Sequence, residues 1–255
     1  MQRSGNIMTY PLNIKLYADG ADFDGIVKSA EDLEISGFTT NPTLMKQAGI
    51  TNYEEFAKNI ISYLAEHRPE TNISLEVFAD ELDEMYRQAK IIDSWGREKN
   101  YDVYVKIPVT NTKGESTNTI VNKLSSEGVK VNITAIFTID QGIGVLNNLD
   151  LNTPSIISVF AGRINDVGTD AHMVIQEILE YYDSIKTETS KVQFLWASSR
   201  EAFSLYHAAD AGCDIITMTP DLIKKVRGFG KDLTQFSLET VQMFYNDAKA
   251  SGFSI

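Results

Sequence analysis

The fold is indicated by residues 72–109, NISLEVFADELDEMYRQAKIIDSWGREKNYDVYVKIPV, in which two short β-branched runs flank a longer segment of helical periodicity. The runs at Asn72–Phe78 and Asp102–Val109 predict buried strands. Between them, apolar residues recur every three or four positions, which predicts a helix with one face against a sheet. These residues are Leu82, Met85, Ala89 and Ile92. A strand, a helix and a strand in this order are typical of a parallel βαβ unit.

The same alternation runs through the whole chain and predicts eight strands. They are Asn13–Ala18, Gly37–Thr40, Asn72–Phe78, Asp102–Val109, Val129–Phe137, Ser155–Phe160, Lys191–Ala197 and Cys213–Met218. Eight strands with short connections close naturally into a (β/α)₈ barrel, whereas an open doubly wound sheet usually carries a GxGxxG turn after its first strand, and none is present. We therefore predict an α/β fold, a single TIM-barrel domain over residues 1–255 with an extra C-terminal helix at Thr234–Ala250.

Helix boundaries are predicted from capping residues. Asp80 and the pair Asn165-Asp166 predict helix starts, because their side chains can accept hydrogen bonds from free backbone N–H groups. Gly96, Gly128 and Gly212 predict helix ends.

Length and charge narrow the function classes. The 255 residues match the roughly 250 residues of one barrel. The net charge of −12 repels polyanions, so we expect no binding to nucleic acid or to an anionic membrane surface. No stretch approaches the roughly 20 apolar residues of a membrane span. We expect a cytoplasmic protein; Met8 could be its native start.

The metal-ligating residue types predict no metal site. The lone Cys213 excludes an intrachain disulfide and is interpreted as a small core residue in a reducing compartment. His67, His172 and His207 lie on separate predicted helices and form no metal triad. We therefore predict that the protein works without a metal.

Polar residues lie at or just after the carboxyl ends of the predicted strands, where barrels place their active sites. In strand order they are Asp19, Thr39, Asn41, Glu76, Lys106, Asn132, Thr134, Ser158, Arg163, Ser198 and Arg200. Buried polar groups are costly unless they are compensated, so their convergence on one barrel mouth indicates a functional site.

Lys106 interrupts an otherwise apolar strand. A lysine desolvated in a barrel loses proton affinity, and its neutral amine can attack a ketone to form a Schiff base. The alternative is a lysine that extends from the strand to solvent. Glu76 is either a general acid/base or the ion-pair partner of Lys106.

Three further alternatives remain open from the residues alone. Asp19 either takes part in chemistry or caps the following helix, a role that Asp22 could equally fill. Asn41, before a proline, either binds substrate or forms a turn. Arg163, Ser198 and Arg200 either clamp a phosphate or are ordinary surface residues.

Four motifs carry a resemblance to a known family. They are Thr39-Thr40-Asn41-Pro42, Val105-Lys106-Ile107-Pro108-Val109-Thr110, Val131-Asn132-Ile133-Thr134 and Ala161-Gly162-Arg163-Ile164. In order and position the chain resembles the transaldolase family of class I Schiff-base barrels, from Lys15 to about Phe229. The resemblance implies a sugar-phosphate enzyme of carbohydrate metabolism, in the pentose phosphate pathway, that needs no cofactor.

The resemblance also implies roles. Lys106 would form an imine with a ketose phosphate such as fructose 6-phosphate or sedoheptulose 7-phosphate, Asp19 would take the C4 hydroxyl proton, and Glu76 would shuttle protons through a water. A dihydroxyacetone unit would then pass to an aldose phosphate. The implied substrate-binding residues are Thr39, Asn41, Asn132, Thr134, Ser158, Phe160, Arg163, Ser198 and Arg200.

Two positions favour transfer over cleavage. True transaldolases resemble this chain in having Glu76 and Phe160, where the related fructose-6-phosphate aldolases have Gln and Tyr. Two departures from the family pattern predict that the part of the site that binds the phosphate group is altered. They are Gly20, where Thr is usual, and Ser199, where Phe is usual. Three alternative functions stay open: a fructose-6-phosphate aldolase, a specialised sugar-biosynthesis transaldolase and a silent sugar-phosphate-binding barrel. Assembly into a homo-oligomer also stays open.

Overall fold

The computed structural model describes residues 13–20 and 22–254. Eight parallel strands form a closed barrel in the order of the sequence. They are β1 (Lys15–Asp19), β2 (Ile35–Thr39), β3 (Asn72–Glu76), β4 (Asp102–Pro108), β5 (Val131–Ile136), β6 (Ser155–Val159), β7 (Val192–Trp196) and β8 (Ile215–Met218). The predicted (β/α)₈ barrel is confirmed, although β2 begins at Ile35, before the predicted Gly37. Met8 lies outside the described residues.

Helices follow the strands and cover the barrel. They are α1 (Phe23–Ala30), α2 (Pro42–Gln47), α3 (Tyr53–His67), α4 (Leu82–Lys99), α5 (Asn118–Ser126), α6 (Ile139–Leu146), α7 (Ala161–Asp166), α8 (Ala171–Ile185), α9 (Ser204–Asp210), α10 (Pro220–Val226) and α11 (Leu233–Ala250). The predicted inner face of α4 is buried at Met85, Ala89 and Ile92. The predicted C-terminal helix is present as α11.

Gly128 and Gly212 end their helices as predicted. They follow α5 and α9 with φ of 76° and 88°, a left-handed conformation that glycine adopts without a Cβ clash. The prediction for Gly96 is wrong, because α4 continues through it to Lys99. A Cβ at Gly96 would lie 2.7 Å from Cγ2 of Val103, so this glycine lets α4 pack closely on β4.

Both predicted helix starts are also wrong. The Asp80 carboxylate accepts hydrogen bonds from the backbone N–H and the hydroxyl of Thr112, at 2.8 and 2.7 Å, and makes no cap for α4. Asn165 and Asp166 lie in the last turn of α7, and Asp170 caps α8. In each case a contact with a distant loop or a short additional helix competed with the local capping signal.

Aromatic and aliphatic side chains fill the lower part of the barrel interior, away from the carboxyl ends of the strands. This barrel floor comprises Tyr17, Tyr104, Ile156, Leu195 and Ile215, all buried. Tyr17 fits because β2 has a glycine opposite it, where a Cβ would lie 2.5 Å from the Tyr17 ring. Its hydroxyl accepts a hydrogen bond of 2.6 Å from a β3 asparagine, and burial raises the pKa of Tyr17 to about 12. The floor therefore closes the lower end with neutral groups.

The outermost helix, α11, contrasts with the rest of the fold. None of its residues is buried. Large apolar side chains are exposed along it, including Phe236, Val241, Phe244 and Tyr245. No helix in the described part of the chain is long and apolar enough to cross a membrane.

Candidate active site

A cavity of about 400 Å³ opens at the carboxyl ends of the strands. Its walls include all twelve predicted site residues. They are Asp19, Thr39, Asn41, Glu76, Lys106, Asn132, Thr134, Ser158, Phe160, Arg163, Ser198 and Arg200. The strands bring them together because residues near the carboxyl end of each parallel strand reach the same barrel mouth.

Lys106 lies in the cavity wall with 6% of its surface exposed. Strand register places it between Glu76 on β3 and Asn132 on β5. Its Nζ lies 3.2 Å from Oε2 of Glu76 and donates a 2.8 Å hydrogen bond to the Thr40 carbonyl. Lys106 therefore does not extend to solvent, and the amine faces the site with a carboxylate beside it.

Glu76 is the ion-pair partner of Lys106, which was one of the two alternatives from the sequence. The same contact lets a carboxylate take a proton from the amine or return it, so pairing and proton transfer do not exclude each other. Tyr53 fixes the end of β3 by donating a 2.8 Å hydrogen bond to the Glu76 carbonyl. Glu76 is thus held at the mouth by its strand and by this tyrosine.

Asp19 is free of the capping role, which Asp22 fills by accepting from the Gly25 N–H at 2.7 Å. The Asp19 carboxylate instead accepts a 2.9 Å hydrogen bond from the Thr39 hydroxyl. Burial raises the pKa of Asp19, and the charge of Glu76 adds to this. The charge of Lys106 and the hydrogen bonds to the carboxylate act in the opposite direction without cancelling it. The result is a carboxylate with increased proton affinity, as a general base requires.

Asn41 makes a local backbone contact and also faces Asp19, while its substrate-binding role stays a prediction. Its Oδ1 accepts from the Leu44 N–H at 2.9 Å and caps α2, while its Nδ2 lies 3.4 Å from Oδ2 of Asp19. The cap fixes the side chain, so that its amide nitrogen faces the carboxylate.

A buried polar chain crosses the opposite wall. The Ser158 hydroxyl donates to Oδ1 of Asn132 at 2.6 Å, and Nδ2 of Asn132 donates to the Ser74 hydroxyl at 3.0 Å. The Thr134 hydroxyl nearby is buried and has no partner among the described residues. Its full hydrogen-bonding capacity is therefore available to a molecule in the cavity.

Two guanidinium groups stand at the rim. The Arg163 guanidinium lies 5.9 Å from the centroid of the Phe160 ring. Arg200 donates from Nε and Nη2 to one carboxylate oxygen of Asp166, at 2.9 and 2.5 Å. The sequence predicts only a helix-capping role for Asp166 and does not indicate this ion pair.

Ser198, two residues before Arg200, has a left-handed backbone with φ of 63°. The chain passes so close to Gly162 that a Cβ there would lie 1.7 Å from the Ser198 carbonyl oxygen. Left-handed backbone in a non-glycine residue persists only where its surroundings enforce it, and such strain is common at functional sites. Contact with α7 thus fixes the loop that carries Ser198 and Arg200.

Comparison with known proteins gives consistent results. The sequence is similar to a probable transaldolase from Dehalococcoides mccartyi, with 34% identity over 206 residues that cover 80% of this chain and 86% of that protein. It is also similar to probable transaldolase 2 of Listeria monocytogenes, with 32% identity over 234 residues, 88% of this chain and 98% of that protein.

Solved structures share the architecture at low sequence identity. An N-acetylneuraminate lyase from Mycoplasma synoviae matches with a TM-score of 0.52 and 14% identity, over 80% of this chain and 69% of that one. The YdjI aldolase from Escherichia coli matches with a TM-score of 0.54 and 12% identity, over 83% and 77%. These likenesses show the barrel fold alone.

The decisive match is to a family. The model of the Transaldolase/Fructose-6-phosphate aldolase family covers residues 16–255, nearly the whole chain and all the strands described above except the first residue of β1. With the relatives above 30% identity, this match shows that the chain is an enzyme of the transaldolase/fructose-6-phosphate aldolase family.

Proposed function

We propose that the enzyme transfers a dihydroxyacetone unit from a ketose phosphate to an aldose phosphate through a Schiff base on Lys106. The observation that carries the proposal is the buried amine of Lys106, 3.2 Å from the Glu76 carboxylate in a polar cavity. An amine that attacks a carbonyl must lose a proton, and the departing carbonyl oxygen must gain protons to leave as water. Glu76 is close enough to serve both transfers, directly or through a water.

Carbon–carbon bond cleavage needs a second base. Asp19 takes the proton from the C4 hydroxyl of the imine, the C3–C4 bond breaks, and its electron pair moves into the imine to leave an enamine on Lys106. The aldose phosphate formed from the far part of the donor departs. When a new aldose phosphate binds, the enamine carbon attacks its aldehyde and Asp19 returns the proton, after which water releases the product.

The rim supplies recognition of the phosphate group. Arg163 and Arg200 bring guanidinium groups to the cavity, and Ser198 in the same lining offers a hydroxyl. Guanidinium groups bind phosphate through paired charged hydrogen bonds. The Asp166 carboxylate competes for Arg200, so binding of a phosphate dianion involves sharing or replacing that partner.

Phe160 favours transfer over simple cleavage. Cleavage alone requires protonation of the enamine, and a phenyl ring in the wall has no proton to donate. The enamine therefore persists until an aldehyde arrives. A fructose-6-phosphate aldolase activity remains the second candidate because the family includes both.

Borohydride reduction tests the Schiff base. With fructose 6-phosphate present, we expect a reduced three-carbon adduct on the Lys106 peptide by mass spectrometry, and none in K106M. Addition of erythrose 4-phosphate separates the activities, because a transferase turns over only with this acceptor. Lys130, at the opposite end of the barrel, gives the matched control K130M, which should label at Lys106 like the wild type. A missing adduct, with K106M as active as the wild type, overturns the mechanism.

We further propose that the chain assembles into a homo-oligomer through α11. An 18-residue helix with no buried residue and with exposed Phe236, Val241, Phe244 and Tyr245 presents more apolar surface than isolated monomers usually leave in water. Light scattering after size exclusion should give more than one chain per particle, and V241E/F244E should give one. A monomeric wild type contradicts the proposal.

We also propose that the enzyme works in the cytoplasm on sugar phosphates, without binding nucleic acid or membranes. Its net charge of −12 disfavours polyanions, and its single cysteine, Cys213, is a buried thiol whose pKa is raised by burial. Cell fractionation and a gel-shift assay at low salt test these assignments.

A further inference from the structure

Asp19 stands at one end of a chain of buried hydroxyl groups that begins on β8. Thr39 Oγ1 donates to Oδ1 of Asp19 at 2.9 Å, and Thr217 Oγ1 lies 2.6 Å from Thr39 Oγ1. Thr39 and Thr217 are only 4% and 6% exposed. Because β1 lies between β8 and β2 in the barrel, the contact between Thr217 and Thr39 crosses the interior face of β1.

The direction of these hydrogen bonds follows from counting protons. A hydroxyl donates one hydrogen bond and can accept others. When Asp19 is ionised it can only accept, so the Thr39 proton points to Asp19. The oxygen of Thr39 must then accept in its contact with Thr217, and the Thr217 hydroxyl is the donor.

Thr217 is itself fixed from the neighbouring loop. The Ser199 hydroxyl donates a 2.9 Å hydrogen bond to the Thr217 carbonyl. A side chain without a hydroxyl group at this position, such as phenylalanine, could not make this bond. The loop that carries Ser198 and Arg200 thereby contacts the strand residue that supports Asp19.

We propose that Thr217 is a positioning residue of this enzyme, whose hydroxyl polarises Thr39 and so strengthens the hydrogen bond that holds Asp19 as a carboxylate. Hydrogen bonds in series reinforce one another where the local dielectric is low. The inference deepens the proposed function, in which Asp19 is the base, and rests on it for its catalytic consequence. Its structural part, the support of the carboxylate, is independent of the substrate.

The other influences on Asp19 do not pass through Thr217. Lys106 on β4 favours the carboxylate by its charge, whereas Glu76 on β3 and burial disfavour it. Asn41 contributes a direct but longer contact of 3.4 Å. Removal of the Thr217 hydroxyl therefore leaves these contributions in place and weakens only the bond from Thr39.

The first experiment uses the free protein. Carbon-13 NMR of aspartate carboxyl groups, with the Asp19 signal assigned by its loss in D19N, gives the Asp19 titration in wild type, T217V and T217S. We expect a higher pKa of Asp19 in T217V and a wild-type value in T217S, which keeps the hydroxyl. T153V removes a buried hydroxyl far from the site and should leave the titration unchanged. If T217V fails to fold, T217A replaces it. An unshifted signal in T217V or T217A overturns the inference.

The second experiment measures turnover with fructose 6-phosphate and erythrose 4-phosphate across pH. A base with raised pKa needs higher pH to be ionised, so T217V should move the acid limb of kcat/KM upward by roughly half a pH unit and lower kcat roughly threefold. T217S should restore both. If the NMR signal shifts but the acid limb does not, Asp19 is not the base, and the proposed mechanism and the catalytic role of Thr217 both fail. A shift in neither measurement overturns the positioning role while leaving the borohydride result to decide the function.

Discussion

Gly162 offers a sharp test of how the rim is built. It is the second residue of α7, so helix propensity alone favours G162A by about 1 kcal/mol. The structure predicts the reverse. A Cβ would lie 1.7 Å from the Ser198 carbonyl oxygen, where contacts below 3.0 Å essentially do not occur, so the two backbones must separate by about 1.3 Å.

The magnitude follows from these opposing effects. Overpacking typically costs about 1–3 kcal/mol, and the upper end applies because a backbone carbonyl on a left-handed residue cannot rotate away. After the gain in helix propensity, the net loss of unfolding free energy is about 2 kcal/mol. For a chain of this size, that lowers Tm by roughly 4–8 °C. Displacement of Ser198 and Arg200 should also raise KM for phosphorylated sugars roughly tenfold or more.

Calorimetry and steady-state kinetics measure both effects. G144A is the matched control. Gly144 also lies within a helix, and its Cβ would meet only the side-chain nitrogen of Asn118, at 3.2 Å. We expect G144A to keep the wild-type KM and to raise the Tm by up to about 4 °C, because the gain in helix propensity is not opposed by a backbone clash. A G162A protein as stable as G144A, with unchanged KM for phosphorylated sugars, would refute the reasoning.

Three other predictions concern charged side chains. E76Q removes the carboxylate beside Lys106 while keeping its shape, and should slow imine formation at least about a hundredfold by rapid-quench borohydride trapping; an undiminished rate contradicts the role of Glu76. D19N should have a higher Tm than wild type near pH 7. Burial raises the pKa of Asp19 in the folded state. The protonated side chain therefore stabilises the fold below the ordinary pKa of about 3.9, and this contribution is lost as pH rises through the raised pKa, so the neutral amide of D19N is favoured at pH 7. Equal Tm values at pH 7 would count against this. R68M leaves three backbone carbonyls at the start of β2 and in the segment before it, two of them buried, without their guanidinium donor. It should lower the unfolding free energy by about 3 kcal/mol in urea titrations, whereas a loss below about 1 kcal/mol would show that these hydrogen bonds are dispensable.

The barrel was predictable because its signals are periodic. Strand-helix alternation is repeated eight times, so an error at one boundary does not change the topology. Individual boundaries were less secure, as Gly96 and Asp80 show. A glycine inside α4 and an aspartate before it have local meanings that close packing on Val103 and a hydrogen bond to Thr112 override. Such contacts join residues far apart in the chain, and no local pattern contains them.

The convergence of the twelve site residues was predictable for a similar reason, since each lies at or soon after the carboxyl end of a strand, and these ends meet at the same mouth. Their supporting contacts were not. Thr217 lies on β8 two positions after Ile215 of the barrel floor, so alternation along that strand could have marked it as facing inward. Asp166 offered no such signal, because its partnership with Arg200 depends on how α7 packs beside the loop after β7.

The filled floor of the barrel has a kinetic consequence. Tyr17, Tyr104 and their aliphatic neighbours leave the described interior open only at the carboxyl-end mouth, where the rim arginines stand. In a transfer reaction, the aldose phosphate that leaves and the one that enters must then pass through the same opening and bind the same arginines, one after the other. The enzyme should obey a ping-pong rate law, with parallel double-reciprocal lines, and each aldose phosphate should act as an inhibitor competing for the other's place.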